Sequence, residues 1–371
     1  MSASQPVSTP AWLLLEDGTL FKGKSFGAAG TSGGEICFNT GMTGYQEVFT
    51  DPSYTGQVLI MNNAYVGNYG VKDVDVESDS VKIKGLICKN ISHRYSRMTA
   101  DDGLEDYLKE ANIVAIYDVD TRALVQHIRS KGAMNCIITT QISDPAQLKE
   151  ELAKVPDMAG LELSSLVSTK EPYTYGDPEA KLRIAVMDFG VKKYQLECMA
   201  LRGAYMKVFP AKTSYKEVLE FNPDGVFISN GPGDPASMGY AVSTVKEIIA
   251  DSKPLFGICL GHQILARAND IPTFKMHHGH RGLNHPVKNL MTGRSEITTQ
   301  NHGFGVDPEG AKNSEHVEVT HVNLNDGSIE GIRMKHKPAF SVQYHPESTP
   351  GPHDSRYLFD DFIKMIEEHK N

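Results

Sequence analysis

The sequence predicts an α/β protein of two domains. The first is a strand-rich α/β domain, and the second a mostly parallel sheet flanked by helices. Three observations predict this. Short apolar runs separated by turn residues fill the first part of the chain. The stretch 168-STKEPYTYGDPEAK-181 then interrupts the pattern with two prolines, a glycine and many polar residues. Beyond it, strand and helix patterns alternate, as in a parallel sheet covered on both faces. At 371 residues and 40% hydrophobic content, the chain is long enough for two buried cores. The expected domains are 1–175, which includes the start of the linker, and 182–371.

In the first domain, Trp12 to Glu16 and Thr19 to Phe26 flank Asp17-Gly18, a strong hairpin signal. Glu35 to Phe38, Gln57 to Met61, Val81 to Cys88 and Asn135 to Thr140 are further strand candidates. Leu104 to Ala111 and Arg122 to Lys131 read as helices, the second stopped by Gly132. Asp144 caps a short helix to Val155, with Pro145 at its first position. In the second domain, Leu182 to Asp188, Tyr205 to Phe209, Val226 to Ser229 and Leu255 to Ile258 are the expected strands. Lys192 to Arg202, Tyr215 to Phe221 and Ala241 to Ala250 are the helices between them. From Val287 the segments alternate like antiparallel strands, and Tyr357 to Glu368 closes the chain as a helix.

Composition narrows the function classes. Lys and Arg number 37 against 46 Asp and Glu, a formal charge of −9, which argues against nucleic acid as a partner. No apolar run reaches membrane-spanning length, so no membrane role is expected. The N-terminal MSASQPVSTPAW is polar and reads as a disordered tail, not a targeting segment. Five widely spaced cysteines without a Cys-x-x-Cys pair suit a reducing cytoplasm.

The stretch 257-GICLGHQ-263 carries the chemistry. Cys259 falls where a strand turns into a helix, with Gly257 and Gly261 on either side. This is the arrangement of a nucleophile elbow with sulfur in place of oxygen. The glycines let the backbone turn sharply and keep side chains clear of the thiol. A second strand end, 228-ISNGPGDP-235, is a side-chain-poor loop whose N–H groups, with the one after Cys259, suit an oxyanion hole. A thiol nucleophile needs a base, and the base an orienter. In 340-FSVQYHPEST-349, His345 and Glu347 would share one side of a strand end. The following helix and an imidazolium at His345 would favour the thiolate of Cys259. Acyl transfer through a thioester is the expected reaction.

Other features read as structural. Cys37, Cys88, Cys136 and Cys198 are expected core residues. The cluster 277-HHGHRGLNH-285 lacks a thiolate or carboxylate at familiar metal spacing, so it reads as a mobile loop near the site and no metal is expected. The glycine-rich 27-GAAGTSGG-34 lacks the Gly-Lys-Ser/Thr ending of a phosphate-binding loop and reads as a surface loop. The chain itself thus shows no ATP site.

With these residues in view, 257-GICLGHQ-263 and 345-HPE-347 resemble the signatures of class I glutamine amidotransferases. The segments 38-FNTGMTGYQEVFTDPSYTGQ-57, 119-VDTRALVQHIRSKGAMN-135, 229-SNGPGDP-235 and 300-QNHGF-304 resemble the small, glutamine-hydrolysing subunits of carbamoyl-phosphate synthetases. The resemblance runs from about Trp12 to the final helix. It implies a second domain of the class I amidotransferase fold and hydrolysis of L-glutamine to glutamate and ammonia. Ammonia would pass to a large subunit that combines it with bicarbonate and ATP, for arginine and pyrimidine synthesis. No cofactor is implied in this chain, and ATP and Mg belong to the large subunit.

Position by position, the resemblance makes Cys259 the nucleophile, His345 the base and Glu347 its orienter. Gly231 and Leu260 would hold the oxyanion. Ser53, Gly231, Gly233, Leu260, Gln263, Asn301, Gly303 and Phe304 would bind glutamine, and His302 would lie near the site. Ser53 would bring the first domain to the glutamine pocket. The chain departs from the family pattern at Lys72, at Tyr194-Gln195 and at His277-His278, none of which is expected to touch the triad. A stand-alone γ-glutamyl cysteine hydrolase and a non-catalytic regulatory homologue are the alternative readings.

Overall fold

The computed structural model describes residues 9–370, so residues 1–8 of the expected tail lie outside the described residues. The chain packs as two compact units. The first holds residues up to Thr50 and Tyr54–Met158, and the second holds Ala159 onward together with Asp51–Ser53.

In the first unit the strands are β1 (Pro10–Leu15), β2 (Leu20–Gly27), β3 (Thr31–Asn39), β4 (Gln57–Met61), β5 (Gly85–Cys88), β6 (Val114–Tyr117) and β7 (Asn135–Thr139). They close into a barrel in the order β1-β2-β6-β5-β4-β3-β7, with β7 pairing back onto β1. Closure leaves no sheet edge exposed. The Asp17-Gly18 turn forms as expected, with Leu14 opposite Leu20 and Gly18 at φ 88. One apolar cluster gathers Leu13, Leu15, Ile36, Ile60, Ile116 and Ile138, and another gathers Phe49, Tyr54, Leu59 and Leu86. The helices at Leu104–Glu110, Thr121–Lys131 and Pro145–Leu152 match the expected ones, and Asp144 accepts the cap bond from Ala146 N–H.

Three expectations shift here. Val81 to Lys84 is irregular, and the strand begins only at Gly85. The four-residue strand β6 was not among the expected strands. Thr31–Gly34 is not a surface loop but the start of β3; a Cβ on Gly34 would collide with the Gly56 carbonyl, so glycine is needed inside the strand.

In the second unit the strands are β8 (Tyr173–Tyr175), β9 (Leu182–Asp188), β10 (Ala204–Pro210), β11 (Gly225–Ile228), β12 (Leu255–Ile258), β13 (Thr273–Asn289), β14 (Ser295–Val306), β15 (Val317–Asn323), β16 (Ile329–Met334) and β17 (Ala339–Val342). They form a ten-stranded sheet in the order β14-β13-β15-β16-β17-β12-β11-β9-β10-β8. Pairings from β17 through β12, β11 and β9 to β10 are parallel, and the outer strands are antiparallel. The parallel strands β11 and β12 are buried throughout, as sheets covered on both faces require. One core cluster includes Met187, Ile228, Leu255 and Ile264; the other includes Phe227, Phe256, Ile258 and Phe359.

The stretch 168–181 is not a free linker. Tyr173–Tyr175 forms β8 against β10, and Leu161 and Asp234 already share a backbone hydrogen bond, so the boundary between the units falls at Met158–Ala159. The tract 277–285 is no loop either, since it lies within β13 and pairs with β14. Gly279 at φ 68 and two register shifts break the alternation that would have marked it as a strand.

Candidate active site

The active-site candidates gather beyond the C-terminal ends of β11, β12 and β17, where α/β sheets place their ligands. Cys259 occupies the single residue between β12 and the helix Leu260–Ala268, at φ 55 and ψ −101. A non-glycine residue held there carries about 1–3 kcal/mol of backbone strain. The surroundings enforce it. Cys259 N–H donates to the Val342 carbonyl at 2.8 Å, and its own carbonyl accepts from His262 and Gln263 N–H. Both glycines are required. A Cβ on Gly257 would lie 2.8 Å from the Gly261 backbone, and one on Gly261 would strike the Ile228 carbonyl.

Cys259, His345 and Glu347 are all buried, at 2%, 1% and 0% exposure. His345 Nδ1 donates to Glu347 Oε1 at 2.8 Å. That bond leaves Nε2 for the thiol; Nε2 makes no other hydrogen bond, and the ring interacts with Cys259. The thiol itself donates to the Asn301 carbonyl at 3.6 Å. Burial opposes an imidazolium at His345, but the Glu347 carboxylate and Cys259 outweigh it and lift the pKa to about 10. Burial likewise opposes charge on Glu347, yet Lys192 and then His345 hold its pKa down at about 2. The arrangement can keep an imidazolium beside the sulfur across neutral pH.

The pairing of His345 with Glu347 has a different origin from the one expected. Strand β17 ends at Val342, so strand alternation does not align them. They sit on a turn closed by Ser348 N–H to the His345 carbonyl, with Ser348 at φ 47. His345 N–H donates to the Thr299 carbonyl, which ties the turn to β14.

Sequence reasoning missed the residues that hold Glu347. Lys192 Nζ lies 3.0 Å from Glu347 Oε1 and also donates to the Thr349 carbonyl at 3.2 Å. Gln195 Nε2 donates to Glu347 Oε1 at 3.3 Å, so one departure from the family pattern does touch the triad. The Arg356 guanidinium donates to the Glu347 carbonyl through Nε and Nη2. The only sequence signal was a lysine and a glutamine at a helix start just after β9. His262, next to the elbow, is not the base: burial and then His321 push its pKa down to about 3, and Nδ1 is bonded to Ser341.

The remaining candidates are placed as follows. A Cβ on Gly231 would strike the Phe189 carbonyl and lie 2.9 Å from the Leu260 side chain, so Gly231 and Leu260 are neighbours. Gly233, at φ 97, packs against Leu161 and Leu163. Gln263 Nε2 donates to the Phe304 carbonyl and to Gln343 Oε1, which engages its amide nitrogen with protein. Asn301, Gly303 and Phe304 all lie on β14, and Asn301 Nδ2 donates to Asp51 Oδ2 at 3.0 Å. Ser53 belongs to the second unit by packing, although it sits in the first part of the sequence. Its hydroxyl accepts from Asn230 Nδ2 at 2.8 Å, next to Gly231.

Residues 185–365 match the class-I glutamine amidotransferase family, and residues 13–138 match the CPSase domain of the carbamoyl-phosphate synthase small chain. The chain is 47% identical over 364 residues to the carbamoyl phosphate synthase small chain of Chlorobaculum tepidum, covering 98% of this chain and 99% of that one. It is 48% identical over 369 residues to the corresponding Aquifex aeolicus protein, with 96% and 99% covered. The Vibrio vulnificus small chain is 46% identical over 379 residues, with 98% and 100% covered. Nucleophile elbow, buried Cys-His-Glu relay and full-length similarity together place this chain in the carbamoyl-phosphate synthase small-chain family, with its site in a class I glutamine amidotransferase domain.

Proposed function

We propose that the chain is the glutamine-hydrolysing subunit of a carbamoyl-phosphate synthase, with Cys259 as nucleophile. The buried Cys259, His345 and Glu347 relay is the observation that carries this reading. The Cys259 sulfur attacks the side-chain amide carbon of L-glutamine. The N–H groups of Gly231 and Leu260 hold the oxyanion, the second as a first-turn amide that the helix itself leaves unused. His345 gives its proton to the leaving nitrogen, and ammonia departs from a γ-glutamyl thioester. Water then attacks the thioester while His345 takes a proton from it. Glutamate leaves and the thiol is restored.

Ammonia released here passes through an internal channel to a large subunit, which uses bicarbonate and ATP with Mg to make carbamoyl phosphate. The product feeds arginine and pyrimidine synthesis. The five cysteines, all free and buried, fit a pair of subunits in a reducing cytoplasm.

Steady-state glutaminase assays on the chain with its large subunit test the roles. His345→Asn removes the base, whereas Glu347→Ala removes only one of its holders, so the first should cost at least ~10-fold more in kcat. The reverse order means that the roles are misassigned. Full glutamine turnover by the isolated chain, indifferent to large subunit and nucleotide, supports a stand-alone hydrolase instead.

A further inference from the structure

Three polar side chains, from β13, β14 and β16 of the second unit, converge on one another. His280 on β13 stands opposite His302 on β14, with ring centroids 5.0 Å apart. Glu330, on β16, is fully buried beside them. One nitrogen of each histidine and one carboxylate oxygen of Glu330 all lie within 4.8 Å of one another.

The outer contacts decide which atoms face inward. His302 Nδ1 lies 2.8 Å from the Phe304 carbonyl, which only accepts, so the ring hydrogen is on Nδ1 and the lone pair on Nε2. His280 Nε2 lies 2.9 Å from Asp326 Oδ2, which in the neutral ring leaves the lone pair on Nδ1. Glu330 Oε1 accepts from Asn323 Nδ2 at 2.9 Å. The inward atoms are poorly matched by protein. His280 Nδ1 and Glu330 Oε2 have no hydrogen-bond partner, and His280 Nδ1 stands 3.6 Å from Glu330 Oε1. His302 Nε2 faces Gln300 Oε1 at 3.1 Å, an acceptor that gives its lone pair no hydrogen, while Gln300 Nε2 donates to Thr298 Oγ1.

We propose that His280 Nδ1, His302 Nε2 and Glu330 Oε2 bind a divalent transition-metal ion of the zinc class, with Asp326 and the Phe304 carbonyl as the outer contacts that orient the two rings. Two imidazoles and a carboxylate are a donor set that zinc accepts, with water completing four-coordination. A carboxylate or carbonyl behind each ligating imidazole is the usual way proteins fix its tautomer. Tetrahedral zinc places ligand atoms about 3.3 Å apart, so modest side-chain movement closes the set. Sequence spacing conceals the site, because its carboxylates lie far beyond the histidine-rich tract. The ion would tie β13, β14 and β16 together, with His302 between Asn301 and Gly303.

The test uses the whole protein stripped with a chelator, dialysed, and then given Zn²⁺ or Co²⁺ alone. One equivalent should bind per chain, with Co²⁺ showing the intense visible bands of four-coordination and Zn²⁺ raising the melting temperature in a concentration-dependent way. Glu330→Gln preserves shape and should abolish the Co²⁺ bands and the melting shift. Asp326→Asn should weaken binding about 10–100-fold. Uptake by the unaltered protein equal to that of Glu330→Gln overturns the proposal. Such a result assigns any bound metal to other groups and leaves the cluster holding a proton on His280.

Discussion

Lys192 Nζ lies 3.0 Å from Glu347 Oε1, and both side chains are almost wholly withdrawn from solvent. The carboxylate that accepts from the His345 imidazole is therefore itself held by a buried cation. Removing one member of such a pair costs about 3–5 kcal/mol, because the other charge stays buried without compensation. Lys192→Met should lower the melting temperature and reduce kcat/KM. Lys192 is the leading influence holding the Glu347 pKa near 2, so its loss lets that pKa rise. The acid limb of the glutaminase pH profile should then move to higher pH. A variant with unchanged pH profile assigns Lys192 to stability alone.

The pair also links stability to pH. Glu347 has a folded pKa near 2 against an ordinary 4.5, so its contribution is complete above about 4.5 and fades as pH falls toward 2. His345 is raised from 6.5 to about 10, so its contribution is complete below about 6.5 and fades as pH rises toward 10. In denaturant titrations, the unaltered protein's stability relative to Glu347→Gln should peak between about pH 4.5 and 6.5 and decline on both sides. A difference that is flat from pH 3 to 10 contradicts the coupling.

Cys259→Ser should abolish glutamine-dependent carbamoyl phosphate synthesis while ammonia-dependent synthesis by the complex survives. Loss of both in an assembled complex contradicts the division of labour. A glutamine-like electrophile should label Cys259 before Cys37, Cys88, Cys136 and Cys198, as peptide mass spectrometry would show. All five are buried, but Cys259 interacts with the His345 ring, whereas burial pushes the Cys88 and Cys136 thiols well up from their usual pKa.

Ser53→Ala should raise KM for glutamine with little change in kcat. A lost neutral hydrogen bond contributes about 0.5–1.5 kcal/mol, or roughly 2- to 12-fold. The Asn230 contact adds a second effect. The substitution strips a buried amide of its acceptor, which costs about 1–3 kcal/mol, so the melting temperature should fall as well. Unchanged glutamine kinetics with a lowered melting temperature would make Ser53 a strut only.

Much of this was legible because it is local. The elbow packs glycine, cysteine and glycine into five residues, and the strand and helix flanking it are strongly apolar and strongly helical in turn. The Asp17-Gly18 hairpin and the Asp144 cap are similarly self-contained. What stayed hidden depends on distant partners. Lys192 and Gln195 look like an ordinary helix start until the turn after β17 delivers Glu347 to them. Tyr173–Tyr175 is polar enough to read as linker, yet it becomes a strand because β10 offers it a free edge. The histidine-rich tract lost its strand signature to Gly279 and two bulges.

Asp51, Pro52 and Ser53 precede most of the first unit's strands in sequence, yet they pack with the second. There, Asp51 and Ser53 take the amide hydrogens of Asn301 and Asn230. A chain begun at Ala159 would keep both asparagines and lose the acceptors of their amide hydrogens. The second unit is therefore not one continuous segment of the sequence. Three residues that pack in the second unit are encoded within the stretch that builds the first.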